Sequence, residues 1–293
     1  MKKVGFVLVR FWAWCVAVSP YWLLYLRSDF CFLMVYHVVH YRRKVVRQNL
    51  LRSFPEKDAK EVKAIEKRFY HNLCDQVFEM VKLGRMTVDD VRRRITVVNP
   101  EVVEELAARQ RSLFLAIPHS GNWEWFGKRM QTLSSHHPMA IYKKVQNAVF
   151  ERYVYELRTS LPVDMVESNS ALRTLAQRSG QLDQVLILAD QSPMGHKTDY
   201  WTDFLHQDTC WFTGLERMAK FLDYAVVFVD MKRLRRGHYE VKFHLITDEP
   251  KNTAKDFIME QYVCHIERFI NEQPDNWLWS HRRWKRVRIP ATA

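Results

Sequence analysis

Leu113-Phe114-Leu115-Ala116-Ile117-Pro118-His119-Ser120-Gly121-Asn122-Trp123-Glu124 is the stretch on which the fold turns. Leu113 to Ile117 is an unbroken apolar run, too short for a helix and suited to a strand buried on both faces. Pro118-His119-Ser120-Gly121 ends it, and a helix is expected from about Asn122 to Leu133.

Working downstream, the same alternation repeats. Strands are expected at Met139–Tyr142, Val163–Val166 and Val185–Ala189, with helices at Asn147–Ser160 and Ser168–Ser179 between them. Gly180 can end the latter helix in the left-handed conformation. Beyond Asp190-Gln191 come a helix at Phe212–Leu222, strands at Val226–Met231 and Tyr239–Ile246, and a closing helix at Thr253–Asn271. Upstream, Val62, Ile65, Phe69, Leu73, Val77 and Met80 recur every three or four residues and mark a helix from about Glu56 to Leu83. Asn99-Pro100 opens a short helix to about Gln110, with proline at its favoured first position. Strands separated by helices of this length imply an α/β fold, with a mainly parallel central sheet flanked by helices.

With 8 glycines and 10 prolines in 293 residues, no long flexible linker is written into the chain. A 47% hydrophobic and 27% charged composition excludes wholesale disorder. There is no internal repeat. The reading is an N-terminal helical membrane anchor at residues 1–45 and one α/β domain at residues 46–293.

The anchor runs from Val4 to Tyr41, mostly apolar and aromatic, and is broken by Arg10, Pro20, Arg27 and Asp29. Pro20 directly after Ala17-Val18-Ser19 blocks that site as a signal-peptide cleavage point. Phe11 to Leu26 is shorter than the roughly 20 residues a regular span needs, and it contains a proline. The favoured reading is an anchor that inserts in or lies along one leaflet, with basic residues at anionic headgroups. Its competitor is a pair of buried core helices.

A net charge of +12 attracts anions such as lipid headgroups, nucleic acid or acidic proteins. The basic residues fall in short clusters, none within a recognisable nucleic-acid module, so nucleic acid is not expected as a partner. Five scattered cysteines, never in a Cys-x-x-Cys pair, argue against a zinc site or a disulfide framework and fit a reducing compartment.

In open α/β sheets, function gathers at the carboxyl ends of the strands. Two such ends stand out, at His119 to Glu124 and at Asp190-Gln191. His119 is placed to take a proton from a bound hydroxyl, and Glu124, five residues on, is expected to hold its imidazole. Spacing alone proves little, because His244/Glu249 repeats it. His244, however, lies inside an alternating strand, whereas His119 follows a buried strand and is flanked by Ser120-Gly121, small enough for substrate to approach. No Gly-x-Ser-x-Gly, Gly-x4-Gly-Lys or Gly-x-Gly-x-x-Gly motif occurs, which leaves a serine esterase or those nucleotide sites unsupported.

His119-Ser120-Gly121-Asn122-Trp123-Glu124 resembles the His-x4-acid motif of the bacterial lipid A biosynthesis (late lauroyl/myristoyl) acyltransferases, within the lysophospholipid acyltransferase superfamily. Asn49-Leu50 with Phe54-Pro55-Glu56, Tyr142-Lys143-Lys144 with Asn147, Arg158, Asp190-Gln191 and Trp211 to Lys220 around Gly214 resemble further blocks. The ending Trp277-Leu278-Trp279-Ser280-His281-Arg282-Arg283-Trp284-Lys285 is very like the family's terminus.

The resemblance implies an acyltransferase that uses His119 and Glu124 to move an acyl chain from acyl carrier protein or acyl-CoA onto a lipid hydroxyl. It also implies the cytoplasmic face of a bacterial inner membrane and needs neither metal nor organic cofactor. Backbone N–H groups of Ser120, Gly121 and Asn122, or Arg158, would stabilise the oxyanion. Asp190 with Gln191 would bind the acceptor, support Arg158 or cap a turn. The second block carries lysines where the family often has arginine, and lysine cannot make arginine's bidentate contact. Met194 to Asp208 has no assignment. Competing functions are a thioesterase or lipid hydrolase, with His119 activating water, and a non-catalytic membrane or nucleic-acid binding protein. The C-terminal aromatic-basic run is read as packing with some headgroup contact.

Overall fold

The strand read at residues 113–117 lies at the centre of a seven-stranded sheet in the computed structural model, which describes residues 2–144, 148–159, 163–193 and 200–288. Its helices are α1 (Lys2–Val18), α2 (Tyr21–Leu33), α3 (Arg43–Ser53), α4 (Ala59–Lys82), α5 (Val88–Arg94), α6 (Glu101–Ala108), α7 (Trp123–Arg129), α8 (Ala148–Thr159), α9 (Ala171–Ala176), α10 (Gly214–Leu222) and α11 (Phe257–Glu272). Its strands are β1 (Ile95–Val97), β2 (Leu113–Ala116), β3 (His137–Tyr142), β4 (Asp164–Glu167), β5 (Asp183–Ile187), β6 (Tyr200–Phe204), β7 (Gln207–Trp211), β8 (Ala225–Arg235) and β9 (His238–Thr247).

The sheet order is β1-β9-β8-β2-β5-β3-β4. Strands β8, β2, β5, β3 and β4 are parallel, as the helix-strand alternation predicts. The β8–β9 hairpin turns back at Gly237 (φ +65°), so β9, with β1 parallel to it, runs against the other five. Side chains alternate through the central strands. Phe114, Ala116, Val185 and Ile187 join α10 and α11 in one core, while Leu113, Leu115 and Leu186 meet Trp125, Phe126 and Val103 in the other.

Helix α4 starts with a capping box between Asp58 and Glu61, which fixes its first turn. It then buries Glu66, Asp75 and Glu79, each satisfied by side-chain donors, which is the condition for burying a charge. A third apolar cluster joins α1 and α2 to Phe78 and Val81 of α4. Helix α2 continues through a π-helical turn at Met34–Val39. The stretch Tyr21–Val39 is thereby long and apolar enough to cross a membrane, although it includes Arg27 and Asp29.

Several elements differ from expectation, among them helices α3 and α5, which were not anticipated. Helix α9 is shorter than residues 168–179, and Gly180 (φ +87°) lies in the turn after it. Strand β1 was not anticipated, being only three residues between two helices. The β6–β7 antiparallel hairpin occupies part of the stretch without an assignment; Leu205 and His206 take positive φ at its turn, a conformation that leucine does not advertise. Asn147 lies outside the described residues.

Candidate active site

Parallel pairing of β2 with β5, with Ala116 opposite Ile187, sends their two following loops to the same edge of the sheet. His119 stands three residues past the end of β2 and Asp190 three past the end of β5. Their side chains meet: His119 Nδ1 lies 2.5 Å from Asp190 Oδ1. The second oxygen, Oδ2, accepts the His119 backbone N–H at 2.9 Å and the Trp277 indole N–H at 2.8 Å.

Asp190 is buried, which by itself would raise its pKa. The adjacent His119 and these N–H donors outweigh burial and hold it at about 2. An ionised Asp190 fixes the proton of His119 on Nδ1 and leaves a lone pair on Nε2. Consistent with that tautomer, the Gln191 amide donates to Nε2 at 3.1 Å. A hydroxyl taking the place of this amide would face a basic nitrogen backed by a buried carboxylate.

The expected pairing of His119 with Glu124 is not what the structure shows. Glu124 sits in the first turn of α7 and points to α8, where Arg158 holds it through Nε at 3.0 Å and through a second, bidentate contact. Trp123 donates to the same carboxylate at 3.2 Å, and its ring packs edge-on against His119 with centroids 5.3 Å apart. Glu124 and Arg158 therefore border the site, one aromatic ring away from the imidazole. Local spacing could not reveal this, because the residue that meets the imidazole is 71 positions away.

Two of the three N–H groups of the Ser120–Asn122 turn are already engaged. Ser120 is fully buried and its N–H bonds to the Pro118 carbonyl, while the Gly121 N–H bonds to Asn276. These donors are committed within the protein, so they do not point at a developing oxyanion. Gly121 is small because Met231 leaves no room, not because substrate approaches: at φ +57°, a Cβ would come within 2.9 Å of Met231 Cγ and 3.0 Å of its carbonyl oxygen. Asn122 caps α7 through the Trp125 N–H and donates to Glu79 at 2.7 Å. Lys144, from the basic block after β3, pairs with Glu167 at 3.0 Å.

Several supporting residues were not singled out from the sequence. Gln76 donates to the Gly121 carbonyl at 2.6 Å, and Glu79 also accepts from Tyr25 and Tyr239. The C-terminal run closes the other side. Trp277 bridges to Ser120 and bonds Asp190, and the Leu278 N–H donates to the His119 carbonyl. His281 Nε2 accepts the Ser192 N–H at 3.1 Å. Asn49 in turn holds the carbonyls of Trp279 and His281. The terminal Trp-x-Trp-x-His run was the available signal, and its packing role is what the contacts show.

A basic imidazole backed by a buried carboxylate, at the carboxyl ends of two neighbouring parallel strands, equips an α/β protein for general-base chemistry. A sequence profile of the bacterial lipid A biosynthesis acyltransferases matches residues 1–286, and the chain belongs to that family. It is thus an acyltransferase acting on a lipid acceptor. No curated protein matches the chain.

Proposed function

We propose that the protein transfers a fatty acyl chain from an acyl thioester, on acyl carrier protein or coenzyme A, to a hydroxyl of a lipid A precursor or a related lysophospholipid, glycolipid or aminolipid. His119 Nε2 takes the hydroxyl proton as the oxygen attacks the thioester carbonyl. The tetrahedral intermediate collapses by breaking the C–S bond, and the imidazolium returns its proton to the leaving thiolate. Asp190 stabilises the imidazolium between the two steps. Arg158, oriented by Glu124, has further N–H donors to direct at the oxyanion or at an acceptor phosphate.

The observation that carries this reading is the 2.5 Å contact of His119 with a buried Asp190 that also receives two N–H donors. The family supports the lipid acceptor, and the family together with the apolar N-terminal segment supports membrane association, which we place at the cytoplasmic face of a bacterial inner membrane. The test is lipid mass spectrometry on membranes incubated with purified protein and acyl-carrier-protein thioester. Wild type should produce a new acyl-lipid. His119→Ala should abolish it, and Asp190→Asn should lower the rate about 10³–10⁴-fold by losing the tautomer. Free fatty acid as the sole product would replace the transferase with a thioesterase.

A further inference from the structure

Helices α1 and α2 each carry two opposed surfaces. Phe11, Trp14 and Val18 on α1, and Trp22, Leu26 and Phe30 on α2, follow one another at spacings of three and four and are 47–69% exposed. Each set lies on one side of its helix. Of 23 exposed large hydrophobic residues among the described residues, 13 fall between Val7 and Tyr41, so the apolar surface is concentrated there. Water does not favour such a patch.

The opposite face of α2 is bound to the catalytic domain along its length. Tyr25 donates to Glu79 at 2.8 Å, Ser28 to Asp75 at 2.6 Å, and Asp29 pairs with Arg236 at the β8–β9 turn at 3.0 Å. At the turn between the two helices, the Lys82 ammonium takes the carbonyls of Ala17 and Ser19, both at 2.7 Å. Arg27 ties back to the Cys15 carbonyl and the Ser19 hydroxyl. A helix crossing a bilayer at Tyr21–Val39 would lose the contacts of Tyr25, Ser28 and Asp29, and would strand Asp29 near the membrane centre.

We infer that α1 and α2 lie flat in a single anionic leaflet, with their exposed stripes among the acyl chains, and that Tyr21–Val39 does not span it. A mainly apolar cleft of about 490 Å³, lined by Trp12, Leu26, Phe30, Cys31, Met34 and Phe78, receives lipid acyl tails; Arg27, its one charged lining residue, is held by the Cys15 carbonyl and the Ser19 hydroxyl. Exposed Arg42 and Lys44 follow directly after the apolar stretch and meet the headgroups. This rests on the membrane association proposed above, and it is independent of the chemistry at His119.

Depth measured by bromolipid quenching in phosphatidylglycerol vesicles tests it in the native-cysteine chain. The wild type minus Trp22→Phe difference gives the depth of residue 22. The Phe30→Trp minus wild type difference gives that of residue 30. Equal shallow depths are expected. A span would place residue 30 about 12 Å deeper along the helix axis and would overturn the inference. Phe30→Glu should weaken vesicle binding at least tenfold, whereas Phe221→Glu, at an equally exposed site on α10, should leave it unchanged. Equal loss in both, or no quenching at either depth position, would show that the membrane contact is not this face. Neither readout needs turnover, so failure of the transferase reading would be seen separately.

Discussion

His281 shows how one side chain can set the pH range of the site. Its ring is largely buried, and burial is the main reason its pKa falls to about 4; the charges of Arg283, His119 and Lys285 lower it further, and Asp190 opposes them. Neutral, its Nε2 accepts the Ser192 N–H and pins the Asp190–Ser192 loop. Protonated, it would present a donor to a donor. In the unfolded chain the imidazole takes its proton near pH 6.5, while the folded protein resists until about 4. The stability that depends on neutral His281 is therefore complete above pH 6.5, declines as pH falls from 6.5 to 4, and levels off below. The loss should be roughly 1–3 kcal/mol, the lower end allowing for solvent screening. Urea midpoints measured across pH 7 to 4 should fall more steeply for wild type than for His281→Gln. Parallel curves would rule His281 out. Asp190, held at about 2, should contribute no acid limb over this interval.

At the scale of elements, the loop between β2 and α7 is set from below by α4 and from the side by β8, and Gly121 is where the two constraints meet. Gln76 holds its carbonyl, and Met231 of β8 occupies the space where a Cβ would go. Gly121→Ala therefore incurs both positive-φ strain and a clash that includes backbone, which should cost about 2–4 kcal/mol. Thermal unfolding should register the loss, and residual activity should drop more than folded fraction because His119 is displaced with the loop. An unchanged melting temperature would mean that Met231 yields. The elements around this loop were legible in the sequence because burial and periodicity are local: the Leu113–Ile117 run marks its own strand, and the apolar spacing of Val62 to Met80 marks α4. The partner of His119 was not legible. Glu124 is near in sequence, but the first turn of α7 aims it at Arg158, and only the parallel pairing of β2 with β5 delivers Asp190 to the imidazole. Strand β1 and the β6–β7 hairpin escaped for the opposite reason: they are only three and five residues long, and their pairing with β9 and with each other is what makes them strands.

For the whole molecule, the +12 charge and the lipid-facing helices act on different steps. Burial of apolar stripes is insensitive to salt, whereas attraction between a basic surface and an acidic carrier protein is screened over a Debye length of about 10 Å at 0.1 M, shrinking to about 3 Å at 1 M. Arg52 and Arg282 are exposed, and Arg288, paired at 3.6 Å with Asp208, stays more than half exposed. If acyl carrier protein is the donor, kcat/KM for it should fall roughly tenfold or more between 0.02 and 0.5 M salt, through slower association. Turnover at saturating donor should change little, because the His119–Asp190 contact is buried beneath Trp277 and Trp123 and is little screened. Coenzyme A, a smaller anion with fewer simultaneous contacts, should show a shallower slope. Initial rates in detergent at several salt concentrations, with both donors compared at one fixed lipid acceptor, measure the two slopes directly. Equal slopes would mean that the carrier protein's surface is not read by the basic face, and that the donor is recognised through its thioester arm alone.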